Sequence, residues 1–379
     1  MDSSSKRDKG PDAAEIPRPV VLRKQDLGQM VDLLFTEYDV IAPVAEDASI
    51  VLKKVTCLQE IATGWRDMQA PGRYQIERDK SDLYFGYANG MTSPKSFLHP
   101  GRLTLFEAFR RGDSFEVSES PPPERPLAFF AIHSCDRQAI LVLDRTFLTD
   151  QPDRYYVQRR ANAMVVVANC IRPGNTCFCA SMETGPRPET GFDIRMTELA
   201  DEFLLEAGTQ RGRDVLDRLP IRDATKSQVD QAERLITAAV ENMGRRLNIT
   251  DLPRILMESL DHPYWDIMAD WCIGCTNCTM VCPTCFCNDV RDIPNVRGDH
   301  VVRERVWDSC FARQFAEVHG GNFRPNLKER YRHWCCHKLA YWVPQYGVMG
   351  CVGCGRCLTW CPVGIDISAV ATRVRGEHP

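Results

Sequence analysis

The alternation of apolar and polar residues divides the chain into stretches with different periods. The stretch LGQMVDLLFTEY repeats its apolar positions at helical spacing. The short apolar runs PLAFFAI, AILVL and MVVVAN are bounded by Gly, Pro or charged residues, which is typical of buried strands. Together these patterns predict a mixed α/β domain over residues 19–191.

The pattern changes on either side of that domain. Over residues 192–270 helical spacing dominates, and we expect a helical middle segment whose apolar face packs in a core. That face carries Val229, Ile236, Val240, Met243 and Leu247. Residues 1–18 mix Ser, Lys, Asp and Pro without a period and predict a disordered lead.

Two cysteine runs in the last part of the chain share the spacing C-x2-C-x2-C-x3-C-P. They are Cys272, Cys275, Cys278 and Cys282, and then Cys351, Cys354, Cys357 and Cys361. This is the ligand spacing of a bacterial two-cluster ferredoxin, in which the fourth cysteine of each run binds the other cluster. The spacing therefore predicts two 4Fe-4S clusters with interleaved ligands. One is held by Cys272, Cys275, Cys278 and Cys361, and the other by Cys351, Cys354, Cys357 and Cys282.

A pair of zinc sites is the alternative interpretation of these runs, because C-x2-C is also zinc spacing. Zinc ligation explains neither the third C-x2 step nor the repeated C-P ending. The pattern therefore favours iron–sulfur ligation.

The two runs are widely separated, since Cys282 and Cys351 are 69 positions apart. The helix-like stretches CFARQFAEVHG and LKERYRHWCCHKLAYW fill part of that distance. We therefore expect a helical dicluster ferredoxin domain over residues 271–379. The predicted fold class is α+β, with an N-terminal mixed α/β domain, a helical middle segment and this C-terminal domain.

Four further cysteines follow predicted strands or lie in the loop GNTCFCAS. They are Cys135, Cys170, Cys177 and Cys179. Ligands at the ends of adjacent strands converge on one edge of a sheet, so these four are candidates for a third 4Fe-4S cluster. The other interpretation is that they are small buried hydrophobic residues, the usual state of a free cysteine.

Other cysteines lie close to the runs in sequence. Cys285 and Cys287 follow the first run in CPTCFC, and Cys310 lies in WDSCF. They either pack beside a cluster, donate weak hydrogen bonds, or complete an extra site. Cys335 and Cys336 are adjacent in a predicted helix, where their side chains point about 100° apart, and we expect them to be packing residues.

Composition and charge argue against several classes of function. The chain has 379 residues, 18 cysteines and a formal net charge of −4, which gives no electrostatic signature of nucleic-acid binding. The first residues show no apolar stretch of a secretory signal, and no run is long enough to span a membrane. We therefore expect a cytoplasmic protein with reduced, metal-binding thiols. Motifs of nucleotide-binding loops and of hydrolases are absent from the sequence, so no catalytic residues are predicted.

Several segments together carry a family resemblance. They are YANGMTSPKSFLHP, HSCDRQAILVLDRTFL, VVVANCIRPGNTCFCASMETGP, CIGCTNCTMVCPTCFC, WDSCFARQFAEVHGGNFRP and GCVGCGRCLTWCPVGIDI. In this order they resemble the β subunit of soluble nickel-iron hydrogenases of the sulfhydrogenase type. The chain is similar as well to the electron-transfer subunit of anaerobic sulfite reductase.

This resemblance implies a non-catalytic electron-transfer subunit. It would relay electrons through 4Fe-4S clusters between the large and small subunits of a NiFe hydrogenase and a flavin- and NAD(P)-binding reductase subunit. The same relay in an anaerobic sulfite or polysulfide reductase is the alternative. An iron–sulfur redox sensor is a further alternative, although no basic recognition helix is evident.

Overall fold

The computed structural model describes residues 18–81, 83–88 and 90–378. The predicted disordered lead, residues 1–18, lies outside this part of the chain except for Arg18. The strands are β1 Val20–Arg23, β2 Asp39–Glu46, β3 Ser49–Lys54, β4 Trp65–Ala70, β5 Arg73–Arg78, β6 Arg102–Arg111, β7 Ser114–Glu119, β8 Leu127–Ile132, β9 Met164–Ala168, β10 Ile194–Glu198, β11 Glu202–Ala207, β12 Arg222–Asp223, β13 Asn288–Pro294, β14 His300–Trp307, β15 Glu317–Val318 and β16 Gly321–Asn322.

Helices connect and cover these strands. They are α1 Leu27–Glu37, α2 Lys95–Leu98, α3 Ser134–Phe147, α4 Arg154–Arg160, α5 Gln210–Leu216, α6 Lys226–Glu241, α7 Leu252–Glu258, α8 Tyr264–Trp271, α9 Asn277–Met280, α10 Leu327–Cys336, α11 Trp342–Tyr346, α12 Arg356–Thr359 and α13 Ile367–Val374. A π-helical turn, His337–Tyr341, joins α10 to α11. The mixture of helices and strands confirms the predicted α+β class. Within the described ranges, no helix combines the length and apolarity needed to cross a bilayer.

The largest sheet has the strand order β12-β1-β11-β10-β9-β8-β2-β3. The four central strands run parallel to one another; they are β10, β9, β8 and β2. The strands outside this group pair in an antiparallel way: β11 with β10, β1 with β11, and β3 with β2. Every residue of β8 and β9 is buried, because both faces of the sheet are covered. Alternate residues of β8 pack against different layers: Phe130 lies in the core with α1, and Phe129 lies in the core with α3 and α4.

One predicted strand is a helix. The run AILVL, residues 139–143, lies within α3. Ile140 and Leu143 of this helix face the large sheet, whereas Ala139 and Val142 pack on Trp342 from the C-terminal part of the chain. A helix buried on two faces carries a nearly continuous apolar run, which periodicity alone does not distinguish from a buried strand.

The start of the helical middle segment at residue 192 was predicted too early. Strands β10 and β11 occupy its first part and belong to the large sheet. Their pattern is unusual because charged residues are buried in β10: Glu198 pairs with Lys24, and Arg195 pairs with Glu206. Helices α5 to α8 follow after these strands.

The region between the cysteine runs is also not entirely helical. Strands β13 and β14 form a hairpin that pairs with β6, giving a second sheet of order β13-β14-β6-β7. The stretch CFARQFAEVHG contains only a 3-10 turn, Gln314–Ala316, and the short strand β15, so its predicted helix is wrong. The stretch LKERYRHWCCHKLAYW forms α10, the π-helical turn and the start of α11, as expected.

Candidate functional site

The two cysteine runs fold into the same local structure. Each begins in a loop with two residues of left-handed backbone, at Gly274 (φ 66°) and Thr276 (φ 69°) in the first run and at Gly353 (φ 64°) and Gly355 (φ 74°) in the second. A short helix follows, α9 in the first run and α12 in the second, and the two helices pack on each other. The pairing of these helices brings the thiols of both runs together.

One cavity is lined by the first three cysteines of the first run and the last cysteine of the second. This first thiol group consists of Cys272, Cys275, Cys278 and Cys361. The backbone N–H of Ile365 donates to Cys361 Sγ over 3.3 Å. Phe311, Tyr331 and Trp334 form an apolar wall of the same cavity. The structure therefore brings together the four thiols that the spacing assigned to one cluster.

A second cavity is lined by the complementary set. This second thiol group consists of Cys351, Cys354, Cys357 and Cys282. The N–H of Gly353 donates to Cys351 Sγ over 3.4 Å, and Thr284 Oγ1 lies 3.2 Å from Cys282 Sγ. Cys357 lines both cavities. The two groups are therefore immediate neighbours.

A third cavity is lined by the four cysteines of the α/β domain that are candidates for a third cluster. This third thiol group consists of Cys135, Cys170, Cys177 and Cys179. Cys135 lies in the first turn of α3, just after β8, and Cys170 follows β9, the parallel neighbour of β8. Parallel neighbours end at the same edge of a sheet, which brings both thiols to the loop of Cys177 and Cys179. Cys354 lines this cavity as well, so the second and third thiol groups adjoin.

Hydrogen bonds fix the loops around the third cavity. Ser134 Oγ donates to Thr184 O over 2.8 Å, which ties the start of α3 to the loop after Cys179. The two ring nitrogens of His133 lie 3.1 Å from Ala168 O and 2.6 Å from Tyr87 O. His133 is therefore held by backbone carbonyls and serves as a structural residue.

Two buried lysines lie beside the second thiol group, and sequence reasoning missed both. Lys338 Nζ donates to Thr284 Oγ1 over 2.9 Å, and Lys95 Nζ donates to Met280 O over 3.3 Å. Burial opposes the charge of Lys338, but the Cys282 and Cys285 sulfurs raise its pKa. Burial lowers the pKa of Lys95 to about 8. Cations at these positions offset the negative charge that clustered thiolates bring into a dry interior.

Three further cysteines lie near the first run in sequence or in the fold. Cys285 lowers the pKa of Cys282 by hydrogen bonding to its sulfur. Cys285 and Cys310 are buried and Cys287 is partly buried; Cys287 and Cys310 pack in the core that also contains Cys278. Cys335 and Cys336 are buried in the core around α10.

The thiol groups suit iron–sulfur clusters better than single ions. Among the residues that the structure describes, no three or more His, Cys, Asp and Glu side chains are arranged to hold one metal ion. Each thiol group instead surrounds a cavity, with backbone N–H groups directed at sulfur in the first two. Four cysteine thiolates around one space are the donor set of a 4Fe-4S cluster.

The rim of the first cavity is exposed and apolar. Cys275 is exposed, and Ile273 and Val363, which line the same cavity, are 61% and 40% exposed. Trp271, which precedes Cys272 in sequence, is 58% exposed. Large apolar side chains grouped on a surface mark sites of protein contact. We call these four residues the apolar rim.

Comparison with known proteins agrees with this geometry. The profile of the 4Fe-4S dicluster domain family matches residues 271–365. Sulfhydrogenase 2 subunit beta of Pyrococcus furiosus is 33% identical over 329 residues, which cover 84% of this chain and 94% of that protein. No solved structure matches the chain. The chain belongs to the family of sulfhydrogenase β subunits and contains a dicluster domain for two 4Fe-4S clusters.

Proposed function

We propose that this protein is the electron-transfer subunit of a soluble NiFe hydrogenase complex. It relays electrons between the large and small subunits of the hydrogenase and a flavin- and NAD(P)-binding reductase subunit. The observation that carries the proposal is the row of three adjoining thiol groups, of which neighbours share Cys357 or Cys354 as a wall. Closely spaced clusters pass electrons without an acid, a base or a nucleophile.

The ligands of the two C-terminal clusters follow from the thiol groups. Cys272, Cys275, Cys278 and Cys361 hold one cluster, and Cys351, Cys354, Cys357 and Cys282 hold the other. When bound, the clusters supply reversible one-electron chemistry. The chain's own residues supply thiolates, direct N–H groups at sulfur, and exclude water with the wall of Phe311, Tyr331 and Trp334.

The third thiol group holds a third 4Fe-4S cluster. Two observations support this assignment over simple packing. Its four thiols line one cavity although they come from three separate segments. Cys177 and Cys179 also lie in an irregular loop, where their burial depends on close contact with the second cysteine run: the N–H of Phe178 donates to Gly353 O over 2.8 Å.

The apolar rim is the place where a partner subunit docks. It surrounds Cys275, the exposed thiol of the first group. Electrons cross between proteins most readily where a cluster approaches the surface. The third thiol group, at the other end of the row, is lined by residues of the α/β domain together with Cys354 and Arg356.

The proposal is tested with the chain purified without oxygen. Reduction by dithionite and reoxidation by a one-electron acceptor are expected to be reversible in the visible spectrum, and the chain alone is expected to produce no hydrogen. Addition of the hydrogenase and flavin subunits is expected to give hydrogen from NAD(P)H. Hydrogen production by the chain alone would overturn the proposal, as would a mixture that works equally well without this chain.

The ligand assignment has its own test. Cys361→Ala is expected to lose the cluster of the first thiol group and Cys282→Ala that of the second, each measured as a loss of about four irons with the other cluster retained. The opposite pattern, in which each variant loses the cluster of its own run, would contradict interleaving. Cys336→Ala, which removes a buried cysteine outside all three groups, is the control.

A further inference from the structure

Lys338 places a positive charge at the wall of the second cavity. It is only 2% exposed, and it lines this cavity together with the four cysteines of the second thiol group. The π-helical turn His337–Tyr341, between α10 and α11, carries it. Single π-helical turns inside helices are rare and are frequent at functional sites. The helix therefore departs from regular geometry at the residue that reaches the cavity.

Hydrogen bonds connect the ammonium group of Lys338 to both cysteine runs. Lys338 Nζ donates to Thr284 Oγ1 over 2.9 Å, and the same oxygen lies 3.2 Å from Cys282 Sγ. Lys338 Nζ also donates to Gly350 O over 3.4 Å, and the Thr284 hydroxyl donates to that carbonyl over 2.6 Å. Thr284 follows the last cysteine of the first run, and Gly350 precedes the first cysteine of the second. Lys338 therefore lies where the two runs meet.

These contacts give the charge a route to a ligand sulfur. A thiolate that binds iron accepts hydrogen bonds and has none to donate. Because Lys338 has three N–H donors and already reaches Gly350 O, the hydroxyl of Thr284 is free to turn toward the thiolate of Cys282. Hydrogen bonds in such a chain polarise one another. The positive charge therefore strengthens the hydrogen bond that Cys282 Sγ receives.

The three cavities differ in the charge of their walls. Apart from cysteines, the first cavity is lined by uncharged residues. Arg356 lines the third cavity, but Asp136 balances its charge at 2.8 Å. The hydrogen-bond partners of Lys338 are neutral oxygens, and no carboxylate in the described part of the chain forms an ion pair with it. A positive charge without a carboxylate partner therefore distinguishes the second cavity.

The place of the second thiol group in the row gives this charge its importance. The group adjoins the other two through Cys357 and Cys354, and none of the residues that line its cavity is exposed. A 4Fe-4S cluster with four thiolate ligands is an anion, and an added electron makes it more negative. Burial and two anionic neighbours both oppose that addition. Without a nearby cation, the middle cluster would be the hardest one in the row to reduce.

We propose that Lys338 raises the reduction potential of the cluster in the second thiol group and so keeps the middle of the row reducible. The electron that enters this cluster comes from a neighbouring cluster, which is oxidised in the same step, and no bond forms or breaks. The inference rests on the proposed function, because it requires a cluster in each thiol group. It goes beyond that function by assigning control of a potential to a residue that binds no iron.

The test is a redox titration of the whole chain, purified without oxygen and with its iron quantified. The protein is reduced stepwise with dithionite in the presence of mediators, and an EPR spectrum is taken at each potential. The signal of the second cluster is the one that Cys282→Ala loses and Cys361→Ala keeps. In Lys338→Met its midpoint potential is expected to fall. The equilibrium constant for reduction is expected to be at least about ten-fold lower, which is about 59 mV for a one-electron couple.

Three further variants separate the buried charge from other causes. Thr284→Val keeps the charge and the shape but removes the hydroxyl, and it is expected to lower the same constant by about three-fold, the net worth of one hydrogen bond. Lys338→Arg keeps the charge and is expected to stay within about two-fold of the original chain. Lys53→Met, which removes an exposed lysine paired with Glu46, is the control for net charge and is expected to leave the potential unchanged.

The outcomes separate this inference from the proposed function. Full iron with an unchanged midpoint potential in Lys338→Met overturns the role of Lys338 and leaves the relay intact. If Lys338→Met lacks iron, Thr284→Val decides, and an unchanged midpoint potential in that variant overturns the inference. An equal fall in Lys53→Met, or in Lys338→Arg with full iron, overturns it too, because the buried charge would then not be the cause. Little iron in the original chain overturns the relay itself.

Discussion

Arg356 and Asp136 form a buried ion pair between the second cysteine run and the α/β domain. Arg356 Nη1 lies 2.8 Å from Asp136 Oδ1, and the side chains are only 2% and 0% exposed. Arg356 also donates to Gly90 O over 2.7 Å and to Thr92 O over 3.1 Å. One guanidinium therefore joins α12, the start of α3 and the loop before α2, close to the wall that the second and third thiol groups share.

Removal of the guanidinium breaks this ion pair while the carboxylate of Asp136 stays buried. Arg356→Met is therefore expected to lower the free energy of unfolding by about 3–5 kcal/mol. Denaturant unfolding in oxygen-free buffer measures this loss. Arg254→Met, which breaks an exposed pair with Glu258, is the control and is expected to change stability by less than about 0.5 kcal/mol. Equal losses of unfolding free energy in the two variants would show that the buried pair stabilises the fold no more than the exposed pair does.

Gly353 allows the second run to approach the loop of the third thiol group. A Cβ at this position would lie 2.7 Å from both N and Cα of Cys179, and the backbone φ is 64°. Gly353→Ala is expected to push this loop away and to lower the iron content by the third cluster proposed for these thiols. Iron content per chain measures the effect.

Gly298→Ala is the control that shows the effect of the backbone conformation alone, without a clash with a neighbouring loop. Gly298 has nearly the same φ, 69°, but nothing lies within 4 Å of a Cβ there. This variant is expected to lose about 1–2 kcal/mol from the left-handed backbone and no iron. A similar iron content in both alanine variants would show that the contact between Gly353 and the loop of Cys179 is not needed for iron binding.

The apolar rim is expected to carry much of the affinity for a partner subunit. Trp271→Ala is expected to weaken binding of that subunit by about ten-fold or more, because exposed tryptophans are frequent hot spots of interfaces. The dissociation constant of the purified subunits measures the effect. Phe115, on β7, is 62% exposed and lies outside the rim, so Phe115→Ala is the control. Unchanged affinity in Trp271→Ala would place the partner elsewhere.

His99 is expected to make stability depend on pH. It is 0% exposed and its ring packs at a tilt against Phe147, and burial lowers its pKa to about 3. Because this folded value lies below the ordinary value of about 6.5, the unfolded chain binds the proton first as the pH falls. The contribution of His99 is therefore fully present above about pH 6.5 and declines between pH 6.5 and 3.

The change is measurable within a mild pH range. Between pH 7.5 and 5.5, the unfolding free energy of the original chain is expected to fall by about 1.4 kcal/mol more than that of His99→Leu, because leucine does not titrate. Thermal unfolding at the two pH values gives the comparison. His319→Gln removes an exposed histidine and is expected to leave the pH dependence of the original chain. Parallel pH profiles for all three proteins would contradict a buried, neutral His99.

Cysteine spacing predicted more of the site than hydrophobic patterning did. The repeated C-x2-C-x2-C-x3-C-P grouped the same thiols that line the first and second cavities. The first three cysteines of a run are close in sequence, and the fourth reaches the cavity of the other run because the two runs pack together. The buried strands β8 and β9 were also predictable, since both faces of a parallel strand are apolar. The helix α3 was not, because its second buried face depends on Trp342, far away in sequence.

Long-range pairing explains the other differences. The hairpin of β13 and β14 is stabilised by β6, from the opposite half of the chain, so no local pattern indicated its sheet. Lys95 and Lys338 are buried by segments distant from their own, and a single lysine in a sequence carries no sign of this.

The most direct test of the account is the iron and sulfide content of the anaerobically purified chain, combined with EPR of the dithionite-reduced protein. The account predicts about twelve irons per chain and spectra of interacting 4Fe-4S clusters. About eight irons would remove the third cluster and leave the two-cluster relay. Zinc with little iron would contradict the central claim that the three thiol groups form a path for electrons.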